Sequence, residues 1–331
     1  GVIIYTTKQA KRGKASVEFT TGISFEDLHI RPKLQNYYGG GSQLTLPTAT
    51  INGQTYNVNE YKMDESWGPK YDPNLMYLPW YAFDKDDFPN DYLKQVAWVA
   101  PEHDVDSFFD TGITLSNNIA VSKSFDNSNL RVSYTNTAIT GIVPTSKIDR
   151  HNFSINANSK LSEKLKIETG INFVQTHGFN RPEQGYGDNS VAQKFYQWGQ
   201  RQLDFSKMKD YKLSNGMQRS WNRTAWNNGE PYYSDNPYWT INENVSNDRR
   251  NRFYGSAGMT YNILPNLFAV GKIYADIYSQ DNDNRVAIGS QAVSGFSTFK
   301  RNFTEFNYEG RLHWNPEISE DFSLQTFVGV N

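Results

Sequence analysis

Three groups of residues have types that chemistry needs, and their spacing decides what each could do. The five histidines, His29, His103, His151, His177 and His313, have no i, i+4 partners, so no pair of ligands of the HExxH kind shares a helix face. Asp84, Asp86 and Asp87 cluster around Lys85 and could supply paired carboxylates, although a charged stretch of this kind is ordinarily a solvated loop. Asp281-Asn282-Asp283-Asn284 has the oxygen-rich composition of a calcium loop. It lacks the glycine and the distal bidentate glutamate of an EF-hand, and it reads as a hydrophilic outer loop. Cysteine is absent, which removes thiolate metal sites and disulfides. No Ser–His–Asp set and no Gly-rich phosphate loop occurs. The expectation is a non-enzyme with no catalytic residues, no metal and no cofactor.

Binding is better supported than catalysis. Trp67, Trp80, Tyr81, Trp198, Trp221, Trp226, Tyr232, Tyr233 and Trp239 stand among Asn, Asp and Arg in two long irregular stretches, 31–111 and 178–248. Flat aromatic faces beside amides and carboxylates suit stacking on sugar rings or gripping peptides. The same rings would also serve as small cores for large ordered loops, or as a docking face for a lid protein.

The elements that must position these loops alternate with period two. Between Gly112 and Thr176 four runs follow one another, 112–124, 130–140, 150–160 and 165–176. Ile113, Leu115, Ile119 and Val121 fall on one face of the first run; Thr114, Ser116, Asn118 and Ser122 fall on the other. Phe153, Ile155 and Ala157 oppose Asn152, Ser154 and Asn156 in the same way, which is the pattern of a pleated sheet with one apolar side. An earlier strand is expected over roughly 16–30 and later ones over 249–263, 267–280, 301–314 and 322–331. In 301–314 the face opposite Phe306, Tyr308, Leu312 and Trp314 carries Glu305, Asn307, Glu309, Arg311 and His313. That face is too charged for a soluble core and suits a watery lumen. A short helical turn is expected at 104–109. Helical spacing of Val191, Phe195, Trp198 and Leu203 predicts a helix within 188–204, capped by Asp188 or Asn189.

Composition narrows the class. The 331 residues are 37% hydrophobic with a mean hydropathy of −0.70, yet 15% aromatic. That balance fits a porin-like wall, and it also fits a soluble sugar-binding sandwich. A net charge of −2 gives no basic excess for nucleic acid. No run approaches the roughly 18 apolar residues of a membrane-spanning helix, so a barrel is the one membrane-spanning option. The connections favour that option. Long or medium stretches (31–111, 141–149, 178–248, 281–300) alternate with brief turns (125–129, 161–164, 264–266, 315–321). In an antiparallel meander this sorts large loops to one end, as in outer-membrane barrels with short periplasmic turns. Greek-key sandwiches have no reason to sort loop length by parity. Phe125, Tyr134, Phe173 and Tyr261 would then lie near interfacial girdles. Gly1 opens the chain without a methionine or signal peptide, and Phe327-Val328-Gly329-Val330-Asn331 closes it in strand-like sequence, so a piece of a longer protein is expected.

Gly1-Val2-Ile3-Ile4-Tyr5-Thr6-Thr7-Lys8 followed by Gly13-Lys14 resembles the end of the plug domain in TonB-dependent outer-membrane transporters of the SusC/RagA type. Asp64-Glu65-Ser66-Trp67-Gly68-Pro69, Phe108-Phe109-Asp110-Thr111-Gly112 with Asn117-Asn118, and Arg131-Val132-Ser133-Tyr134 followed by Gly141-Ile142-Val143-Pro144 are similar to that family in the same order. The resemblance covers most of 1–177. It implies an all-β fold, part of a large antiparallel transmembrane barrel of 22 strands, with 1–14 as the end of the plug and 15–331 as the first part of the barrel. It further implies an integral outer-membrane position in lipid with the long loops extracellular. The implied work is import of a glycan or peptide oligomer under a SusD-like surface lipoprotein, driven by TonB. The N-terminal extension, the TonB box, most of the plug and the second half of the barrel have no counterpart in this sequence. A non-transporting structural subunit with the same barrel and a soluble sugar-binding sandwich are the alternatives; the last should dissolve without detergent.

Overall fold

The computed structural model describes residues 15–319 and 322–331, so the expected plug end at 1–14 lies outside the described residues. In chain order the strands are β1 (Ser16–Glu26), β2 (Thr48–Ile51), β3 (Gln54–Asn57), β4 (Asp72–Tyr77), β5 (Val96–Trp98), β6 (Gly112–Ser124), β7 (Ser128–Thr140), β8 (Lys147–Lys160) and β9 (Leu165–Phe179). After them come β10 (Arg223–Ala225), β11 (Asn228–Pro231), β12 (Ser246–Leu264), β13 (Leu267–Val286), β14 (Gly295–Trp314), β15 (Glu317–Ser319), β16 (Phe322–Ser323) and β17 (Thr326–Val330). Two short helices, α1 (Val191–Tyr196) and α2 (Pro237–Glu243), lie in the second long loop.

One antiparallel sheet of nine strands dominates, in the order β1-β6-β7-β8-β9-β12-β13-β14-β17. Every neighbour in it is the next long strand in sequence, so it is an unbroken meander. The other strands pair two by two within the loops and the final connection. Loops 27–111, 141–146, 180–245 and 287–294 emerge at one end of the wall, and 125–127, 161–164, 265–266 and 315–325 at the other.

The apolar side of this sheet faces outward. Val17, Phe19, Ile23 and Phe25 are 60% to 68% exposed, and Ile119, Val121, Phe153, Met259, Ile273, Phe306 and Tyr308 are exposed with them. On the opposite face Ala120 and Ser122 are buried, and the polar side chains are only partly covered. A water-soluble sheet would bury the apolar set; here, among the described residues, it stays exposed. The outward face of β12 is apolar or small from Phe253 to Ile263, that of β13 from Leu267 to Ile277, and that of β14 from Phe306 to Trp314. Spans of this length match the roughly 9–11 residues that carry a tilted strand across a bilayer. Above them the same face turns polar, through Asn251 and Arg249, Ser279 and Asp281, and Asn302 and Lys300.

The hydrophobic core lies elsewhere. Leu78, Trp80, Val105, Phe108, Phe195, Leu203, Met208, Trp221, Tyr238 and Ile241 pack into one cluster drawn from both long loops. Phe108 meets Phe195 and Tyr238 edge-on at 4.8 and 4.9 Å. The loops therefore form a single folded cap at one end of the wall.

Several expected boundaries shift. The strands predicted at 130–140, 150–160, 165–176, 249–263, 267–280 and 301–314 begin or end several residues further out, and β13 and β14 reach 20 residues each. Backbone pairing continues above the apolar band because the ladder needs no apolar side chain. The strand expected over 16–30 stops at Glu26, level with Gly112, where its partner β6 begins. Only Thr326–Val330 of the expected 322–331 strand joins the wall. The helix expected within 188–204 is confined to Val191–Tyr196, with Ser190 rather than Asp188 or Asn189 as its N-cap, accepting from the Gln193 N–H. Gly199 stops it: the chain folds back so tightly that a side chain there would collide with the Phe195 carbonyl. The turn expected at 104–109 is present as a 3-10 turn over Val105–Phe108, capped by Asp104.

Candidate binding surfaces of the cap and the inner wall

The cap is fastened by buried charge. Asp84 accepts from Arg219 Nε at 2.7 Å and lies 3.4 Å from Arg223 Nη1, across 135 and 139 residues of sequence. Both arginine side chains and the aspartate are buried. The Arg219 guanidinium lies 3.6 Å from the Phe88 ring centre and 5.5 Å from that of Trp80, so aromatic faces replace water around the cation. Asp84 is therefore not part of a solvated acidic loop, as its sequence neighbours suggested, but an internal anchor. Asp87, its neighbour, accepts from the Ser214 N–H at 3.0 Å.

A second fastening joins Arg201 to Asp104 through two hydrogen bonds, at 2.9 and 2.8 Å, while Arg201 also donates to the Gln35 carbonyl and to Asn36. Burial pushes the Asp104 carboxyl up, but the Arg201 hydrogen bonds, the Val105 N–H and nearby Arg201 and Arg31 charge outweigh it and hold the pKa below the usual aspartate range. A depressed folded-state pKa contributes stability above the unfolded value, near 3.9, and loses it as pH falls through the folded value. Protease resistance of the cap should therefore be constant from neutral pH down to about 4 and fall below it. In Asp104→Asn that acid-dependent step should be absent; an unchanged acid step would refute the assignment. Lys194 is also buried in the cap. Burial pulls its amine pKa down, against the nearby Asp235, Asp188 and Glu183, which hold it up.

The candidate aromatics separate by exposure. Trp80, Trp221 and Trp239 are at most 2% exposed, and their rings are used inside the cap. The Trp221 indole donates to the Trp198 carbonyl at 3.1 Å, and that of Trp239 to Ser290 Oγ at 2.8 Å. Tyr81 is half-buried, its phenol pushed up to about 12 by burial and by Asp91 and Asp204, with Arg219 opposing. Trp67 is 65% exposed and leans on Tyr38 at 5.8 Å. Trp226 lies 6.2 Å from Phe83. The remaining three come together: Trp198 stacks on Tyr233 at 4.8 Å, Tyr233 meets Tyr232 edge-on at 4.3 Å, and the Lys62 ammonium sits 4.1 Å above Tyr232. This cluster offers flat faces and a cation at the cap surface.

In sequence the inner wall is visible as the polar faces of 112–124 and 150–160 and the charged face of 301–314. In the structure it continues across β9, β12 and β13. Lys272 pairs with Glu168 at 2.6 Å, Arg252 is bonded to Asp276, and Tyr274 donates to Glu309 at 3.0 Å. Of these, Arg252, Asp276 and Tyr274 line a hollow of about 420 Å³ together with Asn156, Asn172, Tyr254, Glu305 and Asn307. Gly170 and Gly255 border it, and a side chain at Gly255 would collide with the Gly170 carbonyl. Asp281-Asn282-Asp283-Asn284, expected in a loop, belongs to β13. Alternation sends Asp281 and Asp283 to one face and the two asparagines to the other, so the four side chains do not converge on a cation; Asp281 lies 3.7 Å from Lys300 instead.

A meander with its apolar side out, large loops at one end and a charged inner face has close counterparts among solved structures. The RagAB peptide importer in its open-open state superposes with a TM-score of 0.63 at 13% identity, covering 98% of this chain and 35% of that one. The closed-closed state gives 0.60 at 13% identity with the same coverage. A further structure of the RagAB peptide transporter gives 0.50 at 13% identity, covering 70% of this chain and 26% of that one. The fold is that of the corresponding part of the RagAB barrel wall. This chain spans about a third of the length of those relatives, and its described residues form nine strands of wall. No protein-family profile matches the sequence, and no curated protein is recognisably similar to it.

Proposed function

We propose that this chain is the first part of the barrel of an outer-membrane, TonB-dependent importer of the SusC type. In this reading residues 1–14 end the plug, 15–331 begin the barrel, and loops 31–111 and 178–248 face the outside of the cell. The observation that carries it is the inverted sheet: an apolar band of bilayer height on the exposed face, with charge on the inner one. The work is binding, gating and passage, with no covalent step. Cargo is a glycan or peptide oligomer, first held by the exposed Trp67, Tyr232 and Tyr233 of the cap, with the half-buried Trp198 and Trp226 beside them. A SusD-like lipoprotein would cover the cap, whose tips present Leu44, Tyr186, Ile288 and Val293 with more than 80% exposure. Apolar side chains so exposed on a folded surface suit a protein partner.

The test is uptake in a strain deleted for the full-length gene and complemented with variants. Loss of growth on one oligomer class, restored by the wild-type gene, supports import. Growth unaffected on every oligomer, with the protein correctly inserted, points to a structural subunit. Trp198→Ala with Tyr233→Ala should weaken cargo binding by about ten-fold, since each aromatic contact contributes about 0.5–1.5 kcal/mol. Phe at both positions should retain most of it; equal loss in the Phe and Ala variants would rule out stacking.

A further inference from the structure

The inner wall pairs many of its charges. Arg131 lies against Glu18, Arg252 against Asp276, Lys272 against Glu168, and Arg181 at the root of the second loop against Asp248. One row of arginines differs. Arg150, Thr176, Arg250, Gln280 and Arg301 stand directly opposite one another on β8, β9, β12, β13 and β14. All five share the inner face. Among the described residues no carboxylate pairs with Arg150, Arg250 or Arg301. The outward side chains at this level of β12 to β14 include Arg249, Asn251, Ser279, Asp281 and Lys300. The row therefore stands above the apolar band, at the end of the wall that carries the cap.

Arg150 and Arg250 line one hollow of about 280 Å³ together with Thr176, Gln280, Arg181 and Arg252. Among the described residues that line it, Asp248 alone carries a carboxylate. Asp248 and Asp276 offset the charges of Arg181 and Arg252, and the charges of Arg150 and Arg250 remain. These two arginines are two strand spacings apart, roughly 10 Å, so both side chains can reach one group held over Thr176. The Arg250 guanidinium lies 4.0 Å from the Tyr278 ring centre, which Arg301 approaches at 5.8 Å. The ring fixes the plane of the guanidinium fork and leaves its edges free. Arg250 Nε is buried and has no acceptor among the described residues, a costly state for a donor until a ligand fills it. We propose that this hollow holds a carboxylate of the cargo, so that acid-bearing oligomers are the preferred substrates. The proposal rests on the import reading above. A carboxylate accepts two parallel hydrogen bonds from a guanidinium, and it supplies the counter-charge that a neutral oligomer lacks. An acidic peptide and a uronic-acid glycan present the same group to the fork.

The test is binding of matched probes to the full-length protein purified in detergent. One pair is a short glutamate-containing peptide and its glutamine counterpart; the other is an oligogalacturonate and its methyl ester. In at least one pair the acid should bind about ten-fold more tightly than its neutral partner, and the pair that shows it identifies the source of the carboxylate. The preference should shrink as salt is raised. Arg150→Gln and Arg250→Gln should each reduce it while leaving the neutral probe's affinity unchanged. Arg250→Lys should keep part of it, since the charge remains but the fork is lost. All three variants place a polar side chain on the aqueous face, and folded mobility on unheated gels checks that the barrel forms. Equal affinity for acid and neutral probe in both pairs, or a preference that survives both glutamine variants, would overturn the proposal. An equal loss for acidic and neutral probes would also overturn it, because the arginines would then only shape the wall. Growth of the deletion strain unaffected on every oligomer, with the acid preference intact in detergent, would instead overturn the import reading and leave the anion site standing.

Discussion

Replacing Asp84 by alanine should open the cap while leaving the wall inserted. The substitution removes the shared partner of Arg219 and Arg223, both buried, and leaves two cations in an aromatic-lined interior. Breaking a buried ion pair from one side costs about 3–5 kcal/mol, chiefly because the remaining charge stays desolvated. The cost falls on the junction between the loops, since Asp84 comes from the first and both arginines from the second. Protease added to intact cells should cleave 180–245 far faster in Asp84→Ala than in the wild type. The barrel should keep its folded mobility on unheated gels, because no wall residue is touched. Asp84→Leu combined with Arg219→Met and Arg223→Met should recover much of the resistance, since an apolar set of similar volume can replace a buried charge network. Unchanged protease resistance of Asp84→Ala would mean that the charges do not fasten the loops.

The second large effect separates two adjacent residues of β13. Ile273 lies midway along the outward apolar span from Leu267 to Ile277; Tyr274 points to the inner face, where it donates to Glu309. Ile273→Arg places a charge in hydrocarbon at a cost of about 2–4 kcal/mol near the midplane. Tyr274→Arg places the same charge beside a carboxylate in water. The expected result is a sharp drop in folded, membrane-integrated protein for Ile273→Arg and near wild-type amounts for Tyr274→Arg. Measurement is by quantifying the heat-modifiable form in outer-membrane fractions. Equal losses in both would mean that the two faces are not differently solvated.

How much of this was legible in sequence depends on the range of the interactions. Alternation in 112–124 is a local signal, and β6 occupies those residues. Loop parity is nearly local too, since it needs only the order of strands and turns. The ends of β12, β13 and β14 were missed because above the bilayer both faces are polar, and alternation loses its contrast. The cap was illegible for a different reason. Nothing near Asp84 in sequence distinguishes it from the solvated Asp86, and its partners lie 135 residues or more away. Trp67 and Trp80 are equally aromatic and both sit in the first loop, yet one is exposed and the other buried. Which rings remain open to a ligand follows from tertiary packing alone. The buried positions at 191, 195 and 203 kept helical spacing, but a glycine-stopped helix followed by turns satisfies that spacing as well as a long helix does.

The central claim is that the apolar side of this sheet is its lipid side and the charged side its aqueous one. Single cysteines placed from Lys272 to Ile277 in the full-length protein, and reacted in native membranes with a charged maleimide, test it most directly. The account predicts period two: labelling at 272, 274 and 276, and protection at 273, 275 and 277. Uniform labelling along the strand, or protection at the even positions with labelling at the odd ones, would contradict it.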